Sequence, residues 1–262
     1  MTVAEALNAS GLEACEARLL IGHATGFSSA AVLAFPERSL SEEAAARFAA
    51  FAERRRHGEP VAYIVGEKEF YGLALTVTPA VLIPRPETEL LVELALERSF
   101  TSVVDLGTGS GAIALALKKQ RPAARVVAVE ASAAALEVAR RNAARLSLEV
   151  QWRHGRWCEP LAGESYDLIV ANPPYVAEGD PHLAALGYEP TQALLAGPDG
   201  LQAIRAIAAQ APAYLTSGGW LLVEHGQGQD AAVRTLFTDT GLEEAHTWPD
   251  LAGIPRVSGA RR

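Results

Sequence analysis

The sequence predicts an α/β protein, a doubly wound parallel sheet preceded by a small helical domain. Three observations carry that expectation. After residue 100, short apolar runs alternate with helical stretches. A glycine-rich loop, Asp105-Leu-Gly107-Thr-Gly109-Ser-Gly111, joins the first of those runs to the first of those helices. Before about residue 66 the chain reads as helical, with helix spacing and helix punctuation.

Taken in order, Leu12, Cys15, Leu19 and Leu20 recur at helical spacing. Ser39 with Glu42 has capping-box spacing ahead of an alanine-rich run. That run closes at Arg54-Arg55-Arg56, followed by Gly58 and Pro60. Cations at a helix C-terminus account for the triplet, and a partner-facing role is the alternative. Residues 1–66 are thus expected to form a helical domain, 67–86 a β-hairpin and extended linker, and 87–262 the α/β domain. Alternation at Leu73, Leu75 and Val77 marks a strand. The stretch from Ala80 to Pro86 is extended, because residues preceding proline avoid helix. A helix resumes from Glu87. Strands are then expected at Val103–Asp105, Val126–Glu130, Leu148–Trp152, Asp167–Ala171 and Trp220–Glu224. Helices are expected at Ala112–Lys119, Ser132–Arg145 and Leu201–Tyr214, with Pro212 ending or kinking the last.

Composition narrows the class. Hydrophobic residues are 49% and charged residues 21%, which places the chain among globular proteins rather than disordered ones. The net charge of −8 counts against a protein living on nucleic-acid phosphates. Cys15 and Cys158 are far apart with no CxxC, which removes zinc-ribbon and disulfide-scaffold readings and suits a reducing cytoplasm. The first twenty residues lack the basic start of a signal peptide. The uncharged run Ala206–Val223 is broken by Pro212 and Gly218-Gly219, so helix, turn and strand explain it better than a membrane span.

The glycine loop is a cofactor signal. Glycines let the backbone turn sharply and let a ligand come close, and the helix that follows offers free N–H groups. Gly107, Gly109 and Ala112 satisfy the relaxed dinucleotide fingerprint, and Glu130 ends the next strand where a carboxylate meets ribose hydroxyls. A nicotinamide dinucleotide and S-adenosylmethionine both fit this loop.

Asn172-Pro173-Pro174-Tyr175 follows the fourth expected strand, at the carboxyl edge where such sheets bind ligands. Two prolines stiffen the turn. Asn172 Oδ1 and the Pro173 carbonyl can accept both hydrogens of a planar –C–NH2 group, and Tyr175 can cover it. An amide nitrogen is a poor nucleophile because its lone pair is delocalised. Acceptors that favour a more tetrahedral nitrogen would help aim that lone pair at an electrophile such as a sulfonium methyl, with alignment supplying much of the rate.

These residues resemble the HemK/PrmC family, S-adenosylmethionine-dependent N5-glutamine methyltransferases of peptide chain release factors. The likeness runs through Arg54-Arg-Arg-His-Gly-Glu-Pro60, Glu69-Phe-Tyr-Gly-Leu73, Leu82-Ile-Pro-Arg-Pro-Glu-Thr-Glu89, Asp105–Gly111, Asn172–Tyr175, Tyr188-Glu-Pro190 and Leu221-Leu-Val-Glu-His225. The resemblance implies a Rossmann-like methyltransferase domain behind a helical domain and β-hairpin linker. It implies transfer of a methyl from S-adenosylmethionine to the glutamine of the Gly-Gly-Gln motif in class I release factors, leaving S-adenosylhomocysteine. Gly107, Thr108, Gly109, Ser110 and Gly111 would then meet the methionine part of the cofactor. Glu130 would hold the ribose, with Trp157 near the adenine, and Asn172, Pro173, Pro174 and Tyr175 would hold the glutamine amide. Asn172 would also border the cofactor. The family usually has Asp at position 130 and often an acid where Arg156 stands. A monomer acting in the cytoplasm without nucleic acid, membrane or metal is the matching expectation.

Rival readings are adenine N6 methylation of DNA or RNA, where the same turn would hold a flipped base, a nicotinamide-dependent oxidoreductase, and a cofactor-binding adaptor. His23, His57, His154, His182, His225 and His246 show no metal spacing. Glu224-His225 reads as a polar strand end near the site mouth. Arg85 and Glu87 can orient the linker or touch substrate.

Overall fold

The computed structural model describes the whole chain, the side chains of His182 and Ala184 excepted, so the reading of His182 lies outside the described residues. The chain forms two compact units, Met1–Glu67 and Lys68–Arg262.

The first unit is helical: α1 (Val3–Ala9), α2 (Ala14–Thr25), α3 (Ser29–Ala34), α4 (Glu42–Arg56) and α5 (Val61–Val65). Val3, Leu20, Ile21, Val32, Phe48 and Ile64 form its core. The apolar stripe of α2 is Ala17, Leu20, Ile21 and Ala24, while Leu19 and Cys15 are exposed. The expected frame through Cys15 and Leu19 is therefore corrected, since the spacing 17, 20, 21, 24 makes a more continuous face. The expected Ser39 cap is corrected too. Ser41 caps α4, its hydroxyl accepting from Ala44 N at 3.1 Å. Ser39 instead pairs with Thr2 in an isolated bridge. The arginine triplet pairs within its own unit. Arg54 pairs with Glu59, Arg55 Nε with Glu16 at 2.9 Å, and Arg56 with both Glu53 and the Ser10 carbonyl.

From Lys68 the second unit continues a hairpin of β1 (Glu67–Phe70) and β2 (Leu73–Thr76). After the 3₁₀ turn Pro86–Thr88 comes α6 (Glu89–Leu96). Then follow β3 (Ser102–Leu106), α7 (Ala112–Gln120), β4 (Arg125–Glu130), α8 (Ala133–Leu146), β5 (Gln151–His154), β6 (Tyr166–Ala171), α9 (Gln202–Tyr214), β7 (Leu215–Glu224), α10 (Asp230–Asp239), β8 (Glu243–Pro249) and β9 (Pro255–Arg261). The seven strands lie in the order β5-β4-β3-β6-β7-β9-β8, parallel from β5 to β7, with β9 and β8 antiparallel.

Strands β3 and β4 are near-continuous apolar runs because both faces are covered. On one face Val103 packs with Leu91 of α6 and Leu115 of α7. On the other Val104 and Leu106 pack with Ile204 of α9 and Phe237 of α10. The chain runs outward from β3 to β4 and β5, then returns to place β6 on the other side of β3. The order reverses between β3 and β6, and that reversal makes the crevice where doubly wound sheets bind ligands.

The expected third strand, Leu148–Trp152, begins three residues later, at Gln151. Ser147 ends α8 in the left-handed region, and Leu148 N closes on Ala143 O, so the next residues serve the connection. The last parallel strand starts at Leu215, five residues before Trp220, through the glycine-interrupted stretch. α10, β8 and β9 lie beyond the last expected element. Strand β9 buries Ser258, Gly259 and Ala260, small residues that carry no apolar alternation.

Candidate active site

The site begins where β3 and β6 stop. Their last paired residues are Leu106 and Ala171. The next residues along each strand are Gly107, opening the glycine loop, and Asn172, opening the proline turn. A cavity of about 380 Å³ opens there, within the range of small-molecule sites. Its walls include Gly107, Thr108, Gly109, Ser110, Glu130, Trp157, Asn172 and Pro174. The structure thus brings together most of the expected site residues. Gly111, Pro173 and Tyr175 do not line it.

Gly111 has a packing role. Its φ is +85°, and a Cβ there would lie 3.1–3.3 Å from Leu115, Ala139 and Trp152, so glycine lets α7, α8 and β5 close together. Gly107 is the close-approach position, because a Cβ would meet the Trp157 ring at 3.3 Å. Trp157 itself has φ 50°, an unusual conformation for a bulky residue and one that marks functional sites. Cys158 N donates to Gln210 Oε1 at 3.2 Å, which anchors the segment after Trp157 to α9. Glu159 and Gln210 both line the cavity, so an acid stands close in sequence although position 156 is Arg.

Glu130 ends β4 and spans two backbone groups. Oε2 accepts from Gly109 N at 2.8 Å and Oε1 from Ser132 N at 2.9 Å. Each carboxylate oxygen keeps acceptor capacity for a ribose hydroxyl. Asp105, wholly buried, accepts from Thr108 Oγ1 at 2.5 Å and Ala114 N at 3.3 Å, which ties the loop to the first turn of α7. Burial pushes its carboxyl up to about 7.

Two further residues organise the site without having been singled out from the sequence. Asn142 of α8 donates to Ser110 O and Thr76 O and accepts from Thr76 N, fastening the glycine loop to the hairpin. A polar residue on the apolar face of a long helix was the available signal. Thr88 lines the cavity and accepts from Asn172 Nδ2 at 3.0 Å.

The proline turn is clamped from behind. Tyr175 packs on the α9 face of the sheet, and its hydroxyl donates to Glu224 Oε1 at 3.3 Å. Its carbonyl accepts from Gln229 Nε2 at 3.0 Å. Glu224 is buried at the end of β7, and burial pushes it up to about 7. His225 faces Ser258 Oγ and Gly226 O, and burial lowers its pKa. Arg85 and Glu189 form an ion pair, and Ile83 N donates to Glu189 Oε2 at 3.1 Å, which fixes the extended segment at the cavity rim.

Among the described residues, four buried side-chain atoms lack a hydrogen-bond partner, and three belong to Asp105, Asn172 and Glu224. Orphaned polar atoms are rare in folded proteins. Asn172 Oδ1 is the one whose side chain borders the cavity. A cavity carrying a glycine cradle, a carboxylate at a strand end and the side chain of Asn172, whose buried Oδ1 is unpartnered, fits an adenosine-bearing cofactor together with a second, hydrogen-donating group.

Comparison with known proteins agrees. Residues 2–66 match the PrmC N-terminal domain, and residues 86–187 match the methyltransferase small domain. The release factor glutamine methyltransferase of Burkholderia pseudomallei is 47% identical, the alignment covering 99% of this chain and 96% of that protein. That of Xylella fastidiosa is 48% identical over 95% of this chain and 94% of its own. The α/β fold is shared with a methyltransferase from Pyrococcus furiosus at TM-score 0.57 and 17% identity, covering 80% of this chain and 96% of that one. The chain is therefore an S-adenosylmethionine-dependent methyltransferase that belongs to the release factor glutamine methyltransferase family.

Proposed function

We propose that this enzyme methylates N5 of the glutamine in the Gly-Gly-Gln motif of class I peptide chain release factors. The observation that carries the reading is Asn172: its Nδ2 is tied to Thr88, and its Oδ1 has no partner at the cavity wall. A side-chain carboxamide donates two hydrogens from a flat nitrogen. Asn172 Oδ1 takes one of them, which holds the nitrogen in line and favours exposure of its lone pair.

The cofactor site fits S-adenosylmethionine. The loop from Gly107 to Ser110 would hold its methionine part, Glu130 its ribose hydroxyls, and Trp157 and Glu159 would border its base. When bound, S-adenosylmethionine supplies a methyl on a cationic sulfonium and leaves as S-adenosylhomocysteine, while the substrate nitrogen loses one proton. No strong base is required before attack, because the amide is neutral and its proton can leave afterwards. Residues 1–66 act as the recognition domain for the release factor, 67–86 as the connecting hairpin, and the protein works in the cytoplasm.

Mass spectrometry of a release factor incubated with enzyme and S-adenosylmethionine tests the reading. The expected result is one added methyl on the Gly-Gly-Gln glutamine. Transfer to adenine in DNA or RNA with none to the release factor would replace it with the base-methylating alternative.

A further inference from the structure

Arg85 lines the cavity from the extended segment before α6, and its side chain is 33% exposed. Its Nη2 donates to Glu189 Oε1, and the other Glu189 oxygen accepts from Ile83 N at 3.1 Å. The Glu189 side chain is only 3% exposed, so a buried carboxylate anchors both N–H groups. A guanidinium carries N–H groups on every nitrogen of a planar fork. Among the described residues, Arg85 Nε and Nη1 have no partner and are not fully buried, so their N–H groups stand open to the cavity or to solvent.

The same segment sets that fork close to Asn172. Thr88 N donates to Arg85 O at 3.1 Å, closing a turn between the two residues, and Thr88 Oγ1 accepts from Asn172 Nδ2. Pro190, next to Glu189, lines the cavity as well. Glu189 cancels most of the Arg85 charge, so the pair attracts a further anion weakly. It still offers directed N–H groups to neutral acceptors. Backbone carbonyls are such acceptors, and two successive glycines leave theirs unshielded by side chains.

We propose that Arg85 is a substrate-binding residue whose free N–H groups take backbone carbonyl oxygens of the Gly-Gly-Gln loop, and that Glu189 is the positioning residue that holds the fork at the cavity. This role rests on the reading of Asn172 as the holder of the glutamine carboxamide. With the side chain fixed there, the backbone from which it hangs meets the wall one turn away, at Arg85. A backbone carbonyl gains no charge during methyl transfer, so the contact is equally strong before and during reaction. Its removal therefore falls on KM more than on kcat.

The test compares wild type, the double variant Arg85→Met with Glu189→Gln, Glu189→Gln alone, and Arg85→Lys. It reads kcat and KM for release factor, Kd for S-adenosylmethionine by calorimetry, and the urea midpoint of each protein. In the double variant Met replaces the Arg stem and Gln keeps an acceptor for Ile83 N, so no buried charge is left unpaired. It is expected to raise KM about tenfold or more, the scale of a lost hydrogen bond to a charged group, with a smaller fall in kcat and cofactor Kd shifted less than about threefold. Glu189→Gln alone keeps the fork and an acceptor for it, and is expected to raise KM by about threefold or less. Arg85→Lys keeps a cation for Glu189 but replaces the fork by a point charge, and is expected to raise KM about fivefold or more. If the urea midpoint of the double variant shows that it does not fold, Arg85→Lys decides between the same outcomes. A KM rise below about threefold in the fork-less variant, an equal rise in Glu189→Gln, or a cofactor Kd that rises more than KM would each overturn the assignment. The last result would give Arg85 to the carboxylate of the cofactor. Absence of methyl transfer by the wild type to release factor would instead overturn the carboxamide reading beneath it.

Discussion

Leu106 and Ala171 are the final paired residues of two neighbouring parallel strands, so the glycine loop and the proline turn leave the sheet from adjacent positions. The two motifs lie 65 residues apart in sequence, from Gly107 to Asn172. They become neighbours because the strand order reverses between β3 and β6. The proximity of the two motifs is thus set by backbone pairing. The following expectations derive from that arrangement.

Replacing Asn172 by Ala removes the unpartnered acceptor and leaves the glycine loop intact. The expected outcome is a fall in kcat of about a hundredfold or more, on the scale of deleting one preorganised polar contact in an active site. The Kd for S-adenosylmethionine should change far less, and steady-state kinetics with calorimetry separates the two.

Glu130→Ala should act on cofactor affinity instead. It deletes the proposed ribose acceptor and the partner of Gly109 N. Hydrogen bonds to charged groups contribute about 1.5–3 kcal/mol, so Kd for S-adenosylmethionine should rise about tenfold or more. Glu130→Asp should retain most binding if the ribose contact governs it. Titration calorimetry decides.

Asp105 gives a pH signature in stability. Its carboxyl is raised from 3.8 to about 7 by burial, and Glu224 from 4.5 to about 7. In both cases the folded protein holds a proton that the unfolded chain releases. That stabilisation is complete below the unfolded values and is lost as pH rises to about 7. His225 opposes it near neutrality, since its lowered pKa means folding releases a proton. Asp105→Asn should therefore flatten the decline in unfolding free energy between about pH 4 and about pH 7. Urea denaturation across that range measures the slope, and equal slopes in both proteins would refute the assignment.

Gly111→Ala should destabilise the fold by about 1–3 kcal/mol, through overpacking against Leu115, Ala139 and Trp152. Gly109 has open space around it, so Gly109→Ala meets only the cost of its positive φ, about 1–2 kcal/mol. Chemical denaturation compares them. Cofactor binding should suffer more in Gly109→Ala, because Gly109 lines the cavity and Gly111 does not.

Much of this site was legible because its motifs are local. A strand–glycine–helix signal and an Asn-Pro-Pro-Tyr turn each sit in a few consecutive residues, and parallel-sheet logic places them together. The supporting residues were less legible. Thr88 lies at the start of the stretch that reads as a helix from Glu87, and nothing nearby in sequence shows that it meets Asn172. Asn142 is recognisable only as a polar residue on a buried helix face. Tyr175 reads as a cover for substrate, yet it packs on the sheet and holds Glu224, because its ring finds an apolar bed there. Strand β9 escaped since Ser258, Gly259 and Ala260 are buried through pairing, not through apolar character.

The most direct measurement is a crystal structure of the enzyme with S-adenosylhomocysteine and a release factor bearing its unmodified Gly-Gly-Gln loop. The glutamine nitrogen is expected within about 3.2 Å of Asn172 Oδ1, a normal hydrogen-bond distance, with Asn172 Nδ2 still on Thr88. A glutamine bound with that nitrogen turned from Asn172, or an Asn172 amide inverted to face it with N–H groups, would contradict the account.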